Sequence, residues 1–298
     1  SKAPVNPGLV GSRKPADRKG EINKPVDNAE LTHYQKPLAK AVEWMLRVER
    51  NGDLRGRDGD MYDHGIAAIA LAEAYSLTKD PRLRKPVERV VAFTIKAQNP
   101  KTGGWRYKPY REDPLERGDM SVTGWQLMAL KSGHLAYLQV PPNTIKGAYK
   151  FLDTVQGNSG ATYGYTTPGS GNATTAVGLL CRMYLGWKKD EPALQRGVER
   201  LGGIGPSPNN MYYNYYATQV MRQHGGPHWD KWNVKMRDSL VASQSKQGHM
   251  KGSWHMAGGH GGSGGRLYNT SMATMILEVY YRHMPIYGKQ ATEEDFPL

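Results

Sequence analysis

Apolar positions in this chain recur at helical spacing and in two alternating kinds of segment. KPLAKAVEWMLRVE (36 to 49) puts Leu38, Val42, Met45 and Leu46 on one side and charges elsewhere, the pattern of an amphipathic helix. DHGIAAIALAEAYSL (63 to 77) is small and apolar nearly all round, with Glu73 its one charge after Asp63-His64. The first kind is expected to face solvent and the second to be enclosed. The alternation returns with PRLRKPVERVVAFTIKAQ (81 to 98) before DMSVTGWQLMALKSGHLAYL (119 to 138), and with PNTIKGAYKFLDTV (142 to 155) before NATTAVGLLCRMYLGW (172 to 187). It returns again with EPALQRGVERL (191 to 201) before NMYYNYYATQVMRQHG (210 to 225), and with HWDKWNVKMRDSLVASQ (228 to 244) before RLYNTSMATMILEVYYRHM (266 to 284).

The enclosed helices open with Asp63, Asp119, Asn172, Asn210 and Asn269, residue types suited to N-caps or first turns. No strand alternation of useful length appears, so the predicted fold class is all-α. Five to six helical hairpins of this kind stack on their neighbours, because none buries its apolar face alone. The first and last enclosed helices are as apolar as the middle ones, which favours closure into a ring over an open array. The predicted organisation is an extended Pro-rich arm over residues 1–30, a helical domain over 31–284 and a tail over 285–298.

One phrase is written twice. QNPKTGGW (98 to 105) and QGHMKGSW (247 to 254) share the spacing Gln-x4-Gly-x-Trp, and FLDTVQGNSGATYGY (151 to 165) carries a degraded copy ending in Tyr. An aromatic-rich helix ending in Gln, then a short loop and Gly-x-Trp, resembles the QW motif of squalene and oxidosqualene cyclases. With the alternating helices, the chain resembles the prenyltransferase and squalene-cyclase repeat superfamily over roughly residues 31 to 284. Bacterial members of planctomycete type, with phrases like VTGWQLMALKSG and MYYNYYATQVM, are the nearest likeness. The resemblance implies an α/α toroid whose inner helices surround a central cavity. Gln98, Trp105, Gln247 and Trp254 then read as structural ties between hairpins.

The family's chemistry transfers poorly. Protonating cyclases use a DxDD run, and the nearest stretch here, RDGDMYDHG, is DxDxxD, with Met61 where the last acid would stand. Prenyltransferases bind zinc through Asp-x-Cys; DMSVTGW aligns Asp119 and Trp125, but Ser121 takes the place of the thiolate. Neither a catalytic metal nor another cofactor is called for. Asp60, Asp63, His64 and Asp119 are the candidate catalytic residues, set against a plainer account in which Asp63 caps its helix with His64 bonded beside it.

Around them, the mouth formed by the inner-helix N-termini gathers candidate ligand-binding residues. Tyr62, Trp105, Tyr107 and Arg111 come from the early loops, with Trp125 one turn inside its helix. Tyr212, Tyr213 and Tyr216 belong to four tyrosines within five positions, which serve ligand stacking and core packing equally well. His255, His260, Arg266 and Tyr268 flank the glycine-rich stretch GSWHMAGGHGGSGGRLY, which reads as a flap or as a plain connector. His249, His255 and His260 sit on too flexible a frame to fix a metal geometry.

Bulk properties narrow the function. The formal charge is +13, but the basic residues are dispersed on solvent faces and no nucleic-acid module accompanies them, so specific nucleic-acid binding is not expected. No apolar run approaches a membrane span. Cys181, the single cysteine, lies in AVGLLCRMYLGW and reads as a buried reduced thiol. The chain opens at Ser1 without an apolar signal core, which leaves the compartment open, a place outside the cytoplasm after signal removal included. Two functions lead: a terpenoid-cyclase or prenyltransferase-like toroid with a small hydrophobic or glycan ligand in its cavity, or a non-catalytic module that binds an anionic glycan or a protein partner; carbohydrate cleavage by Tyr, His and Arg on the same frame is a third, with no specific spacing behind it.

Overall fold

The computed structural model describes residues 32–258 and 260–280. The predicted arm (1–30) and tail (285–298) lie outside them. The chain divides into two units, residues 1–43 and 44–298. In the first, the Thr32 carbonyl accepts from the Gln35 and Lys36 N–H groups, and helix α1 (Gln35–Val48) starts there. The remaining elements belong to the second unit, and the described residues are all-α apart from an antiparallel pairing of Gln156–Gly157 with Thr162–Tyr163 and an isolated antiparallel bridge between Arg50 and Asp53.

Two sets of helices alternate along that unit. One set is α2 (Met61–Thr78), α4 (Met120–Leu135), α6 (Asn172–Tyr184), α8 (Met211–His224) and α10 (His260–Leu277). The other is α3 (Pro81–Ala97), α5 (Pro142–Val155), α7 (Pro192–Ile204) and α9 (Gly226–Ser243). In the first set each helix packs on the next, α2 on α4, α4 on α6, α6 on α8 and α8 on α10. The second set lies against these, α3 on α2 and α4, α5 on α4, α7 on α6 and α8, and α9 on α8.

The burial follows the sequence pattern. Inner helix α4 buries 13 of its 16 residues and has no polar face, whereas outer helix α3 buries six of 17, on one stripe. Outer helices α3, α5 and α7 begin with proline, whose fixed φ and missing N–H suit the first helical turn. Gly124 lets α4 and α6 approach closely, since a Cβ there would lie 2.3 Å from Val177 Cγ1.

The QW-like phrases sit at outer-helix ends. Gln98, Gln156 and Gln244 are the C-caps of α3, α5 and α9, all in extended backbone. Gln98 Nε2 donates to the carbonyls of Gly103 (2.8 Å) and Thr144 (2.9 Å), tying its own loop to the start of α5. In the last copy it is Gln244 whose Nε2 donates to Gly252 O, at 3.0 Å, and not Gln247 as the spacing predicts. Gln247 instead precedes a 3₁₀ turn and makes no side-chain cap bond. The loop is three residues longer than its counterpart, and the motif's role follows the helix end rather than the distance to Trp254. Both indoles return to their outer helices, Trp105 Nε1 donating to Thr94 O and Trp254 Nε1 to Leu240 O, each at 2.8 Å.

A second device recurs at every inner helix. A loop N–H is pinned by a side chain one turn inside the following helix: Trp105 N–H on Thr123 Oγ1 (3.0 Å), Tyr163 N–H on Thr175 Oγ1 (3.1 Å) and Trp254 N–H on Thr270 Oγ1 (3.1 Å). Ser207 N–H uses Asn214 Oδ1 (2.7 Å), and Leu54 N–H uses His64 Nδ1 (3.3 Å). Asp60, Asp119, Gly171 and Asn210 are the N-caps of α2, α4, α6 and α8, so His64, Thr123, Thr175 and Asn214 all stand four positions beyond them.

Cys181 is buried and its thiol is pushed up to about 12 by that burial, as a core cysteine requires. Beside it, the fully buried Arg182 donates from Nε to Tyr163 OH (3.0 Å) and pairs with Asp153 (2.5 Å). Its guanidinium stacks 4.3 Å from the Tyr149 ring centroid and 5.0 Å from that of Trp187.

Candidate functional site

The N-termini of α2 and α4 and the loops before α4 and α6 bring several of the predicted residues together. Asp60 caps α2 by accepting from Tyr62 N–H (2.7 Å), and Asp63 Oδ2 accepts in turn from Asp60 N–H (2.9 Å), a reciprocal capping box. Asp119 caps α4, its Oδ1 accepting from Val122 N–H at 2.9 Å. All three carboxylates thus hold helix starts. The first backbone N–H of each helix is capped by the loop of the next hairpin, Met61 N–H by Tyr107 O and Met120 N–H by Tyr165 O, each at 2.9 Å. These bonds deliver the Tyr107 and Tyr165 side chains to the same place.

Between them sits Arg106, which the sequence reading did not select. Its Nη1 donates to Asp119 Oδ2 (3.1 Å) and to Tyr165 OH (2.9 Å). Its Nε lies 3.0 Å from Glu116 Oε2 without an aligned N–H, so that contact is one of charge rather than a hydrogen bond. The guanidinium lies 4.7 Å from the Tyr107 ring centroid and 5.2 Å from that of Tyr165, and the two hydroxyls share a bond of 2.5 Å. Tyr107 and Tyr165 are each 38% exposed, so the rings form an open platform around a neutralised cation. The Tyr62 ring lies 6.0 Å from that of Tyr107.

Burial raises the Asp119 carboxyl above the usual carboxylate range, against the opposing pull of the Val122 N–H and Arg106. Asp60 is raised for the same reason, with the neighbouring Asp63 charge adding to it. Burial also raises the Tyr62 and Tyr165 hydroxyls, so both stay protonated at neutral pH.

Beneath this platform aromatic side chains of α4 and α8 meet one another. The Trp125 ring stacks on Tyr215 at 5.6 Å and meets Tyr216 edge-on at 5.5 Å and Tyr212 at 6.4 Å. Trp125 is 2% exposed, Tyr212 8% and Tyr216 0%. Trp125 Nε1 and the Tyr212 and Tyr216 hydroxyls have no group in hydrogen-bonding geometry; Tyr212 OH faces Ser121 and Tyr216 without meeting that geometry.

The other predicted residues lie apart from this cluster or beside it. His64 is fully buried and occupied as a pin. Its Nε2 is 2.8 Å from Thr94 Oγ1, and burial lowers its pKa to about 4, so it is a neutral core group. Trp105 is buried against its outer helix. Tyr213 turns outward, its hydroxyl donating to Gly205 O (3.1 Å) and its ring against Trp232. Arg111 and His255 are exposed, and Arg266 donates to Ser245 and Ser253 hydroxyls. His260 is exposed with its ring 6.0 Å from Tyr212. Tyr268 is half-buried against Gly264. The glycine-rich stretch is helical from His260, breaks at Gly265 and is bound by Asn269 Nδ2 to Gly261 O (2.9 Å) and Gly265 O (2.7 Å).

No protein-family model matches the chain, and no curated protein is significantly similar to it. Arg106 and Tyr165 had a signal in the sequence: Trp-Arg-Tyr (105–107) and Tyr-Gly-Tyr (163–165) occupy the same place in successive repeats.

Proposed function

We propose that the protein is a non-catalytic binding module that takes a polyhydroxylated ligand, a neutral glycan, on the tyrosine platform at the inner-helix N-termini. The observation that carries this is the pair of half-open rings, Tyr107 and Tyr165, locked by their shared hydrogen bond around Arg106. Flat aromatic faces with hydroxyls and a guanidinium at their edges suit the C–H faces and hydroxyls of a sugar ring. Arg106 is offset by Asp119 and Glu116, and Asp60 and Asp63 lie nearby, so the platform favours a neutral ligand over an anion.

The same features weigh against terpenoid cyclisation. That chemistry needs a protonated acid facing an apolar void, whereas Asp60 and Asp119 are spent on capping and the buried Trp125, Tyr212 and Tyr216 rings pack on one another beneath. The toroid reading keeps one support: Tyr62 on α2 and Tyr212 on α8 both face Ser121 on α4, which implies inner helices curving about a common centre.

The test is a screen of neutral oligosaccharides against the full chain by calorimetry, with Tyr107→Ala and Tyr165→Ala as controls. Binding that each substitution weakens tenfold or more supports the reading. Turnover of squalene or a prenyl diphosphate that Asp60→Asn or Asp119→Asn abolishes would overturn it.

A further inference from the structure

A depression of about 670 Å³ opens at the other end of α2 and α4, between their C-termini and the flank of α3. Its apolar side is formed by Val91, Ala92, Ile95 and Leu138, and its polar rim by Tyr75, Lys79, Arg84, Glu88, Tyr137 and Gln139. Helix α2 has 18 residues, which puts this depression about 27 Å from the tyrosine platform.

The backbone marks the place independently. Inner helices end in a residue of left-handed conformation: Lys79 (φ 53°) after α2, Tyr137 (φ 63°) after α4, Gly186 (φ 100°) after α6 and Gly225 (φ 74°) after α8. Glycine is the usual occupant, because a Cβ is strained there. The chain departs from glycine at two of these four ends, and both side chains converge on the depression. The Lys79 ammonium lies 5.3 Å from the Tyr137 ring centroid and 5.9 Å from that of Tyr75. Backbone strain kept at residues that together build one cavity is the pattern of a binding site.

The rim also sets the ligand's chemistry. Arg84 is paired with Glu88 at 3.0 Å, whereas Lys79 has no ion pair among the described residues and sits against aromatic faces. Tyr137 is 67% exposed, so ring surface remains available. An unpaired ammonium between two tyrosines, with Glu88 and Gln139 offering an acceptor and an amide beside an apolar floor, matches a sugar ring that carries a carboxylate. We propose that this depression binds an acidic saccharide, its carboxylate on Lys79 and its ring face on Tyr137. The volume falls in the range of small-ligand sites.

The experiment titrates the full chain with a galacturonate oligomer and with the matching galactose oligomer. The expected result is galacturonate binding that weakens with salt and falls about tenfold or more in Lys79→Gly and in Tyr137→Gly. Both substitutions place glycine where its φ is favoured, so the variants stay folded and their unfolding midpoints are unchanged or raised. Tyr107→Ala leaves galacturonate affinity unchanged, which separates this site from the platform. Equal affinity of the charged and uncharged oligomers for the Tyr107→Ala protein, in which the platform is disabled, binding indifferent to both glycine variants, or no galacturonate binding would each overturn the proposal.

Discussion

Acidification tests the assignment of His64 as a core pin rather than an acid or base. His64 Nδ1 accepts the Leu54 N–H, and Thr94 Oγ1 donates to Val90 O at 3.1 Å, which leaves that oxygen free to accept from His64 Nε2–H. This network admits only the neutral tautomer protonated on Nε2, since a proton on Nδ1 would face the Leu54 N–H head-on. Burial lowers the pKa from 6.5 to about 4; Asp53 opposes the shift and Arg55 adds to it. The burial of Asp53 is outweighed by its hydrogen bonds from Arg55, so its carboxyl is held below the usual range and stays charged over the window that matters.

The sign follows from proton counts. Between pH 6.5 and 4 the unfolded chain binds a proton on His64 that the native chain does not, so this group's stabilisation is complete above about 6.5 and is lost as pH falls toward 4. The total is about 3 kcal/mol, at about 1.4 kcal/mol per pKa unit. His64→Asn keeps an acceptor for Leu54 but loses the Thr94 contact and leaves space, at a cost of about 2 kcal/mol at pH 7.5. Urea unfolding of both proteins across this range should show the gap closing as pH falls, with the curves crossing near pH ~5. A gap that stays constant from pH 7.5 to 4, or an imidazole that titrates by NMR at or above its ordinary value, would refute the reasoning.

Gln244→Ala should cost about 1 kcal/mol in urea unfolding and Gln98→Ala about 2, for one and two lost carbonyl partners, while Gln247→Ala stays within about 0.5. A larger loss for Gln247 than for Gln244 would restore the fixed-spacing reading of the motif. Cys181, 1% exposed with its thiol raised to about 12, should react with a thiol reagent only as fast as the protein unfolds; a fast native-state reaction would contradict its placement in the core.

Helix order and the difference in burial between the two helix sets were legible because apolar periodicity reports burial directly. α4 and α3 differ in sequence as they differ in exposure. Roles that depend on loop geometry were less so. Gln244 and Gln247 both precede Gly252, and only the end of α9 decides which amide reaches that carbonyl. His64 beside Asp63 suggests an acid–base pair, yet its meaning lies in the repeat: it occupies the position that Thr123, Thr175 and Asn214 hold in later helices, and three different residue types hide that equivalence.

The meeting of α4 and α8 was illegible for a different reason. An inward aromatic that walls a cavity and one that plugs it produce the same periodicity, and the distinction depends on how far side chains from separate helices reach toward one another. Trp125 on α4 meets Tyr212, Tyr215 and Tyr216 on α8, so four large rings together occupy what the pattern alone presents as an apolar lining. Trp125 and Tyr216 are buried, whereas Tyr165 and Tyr137 are 38% and 67% exposed at the helix ends, where a ligand can reach them.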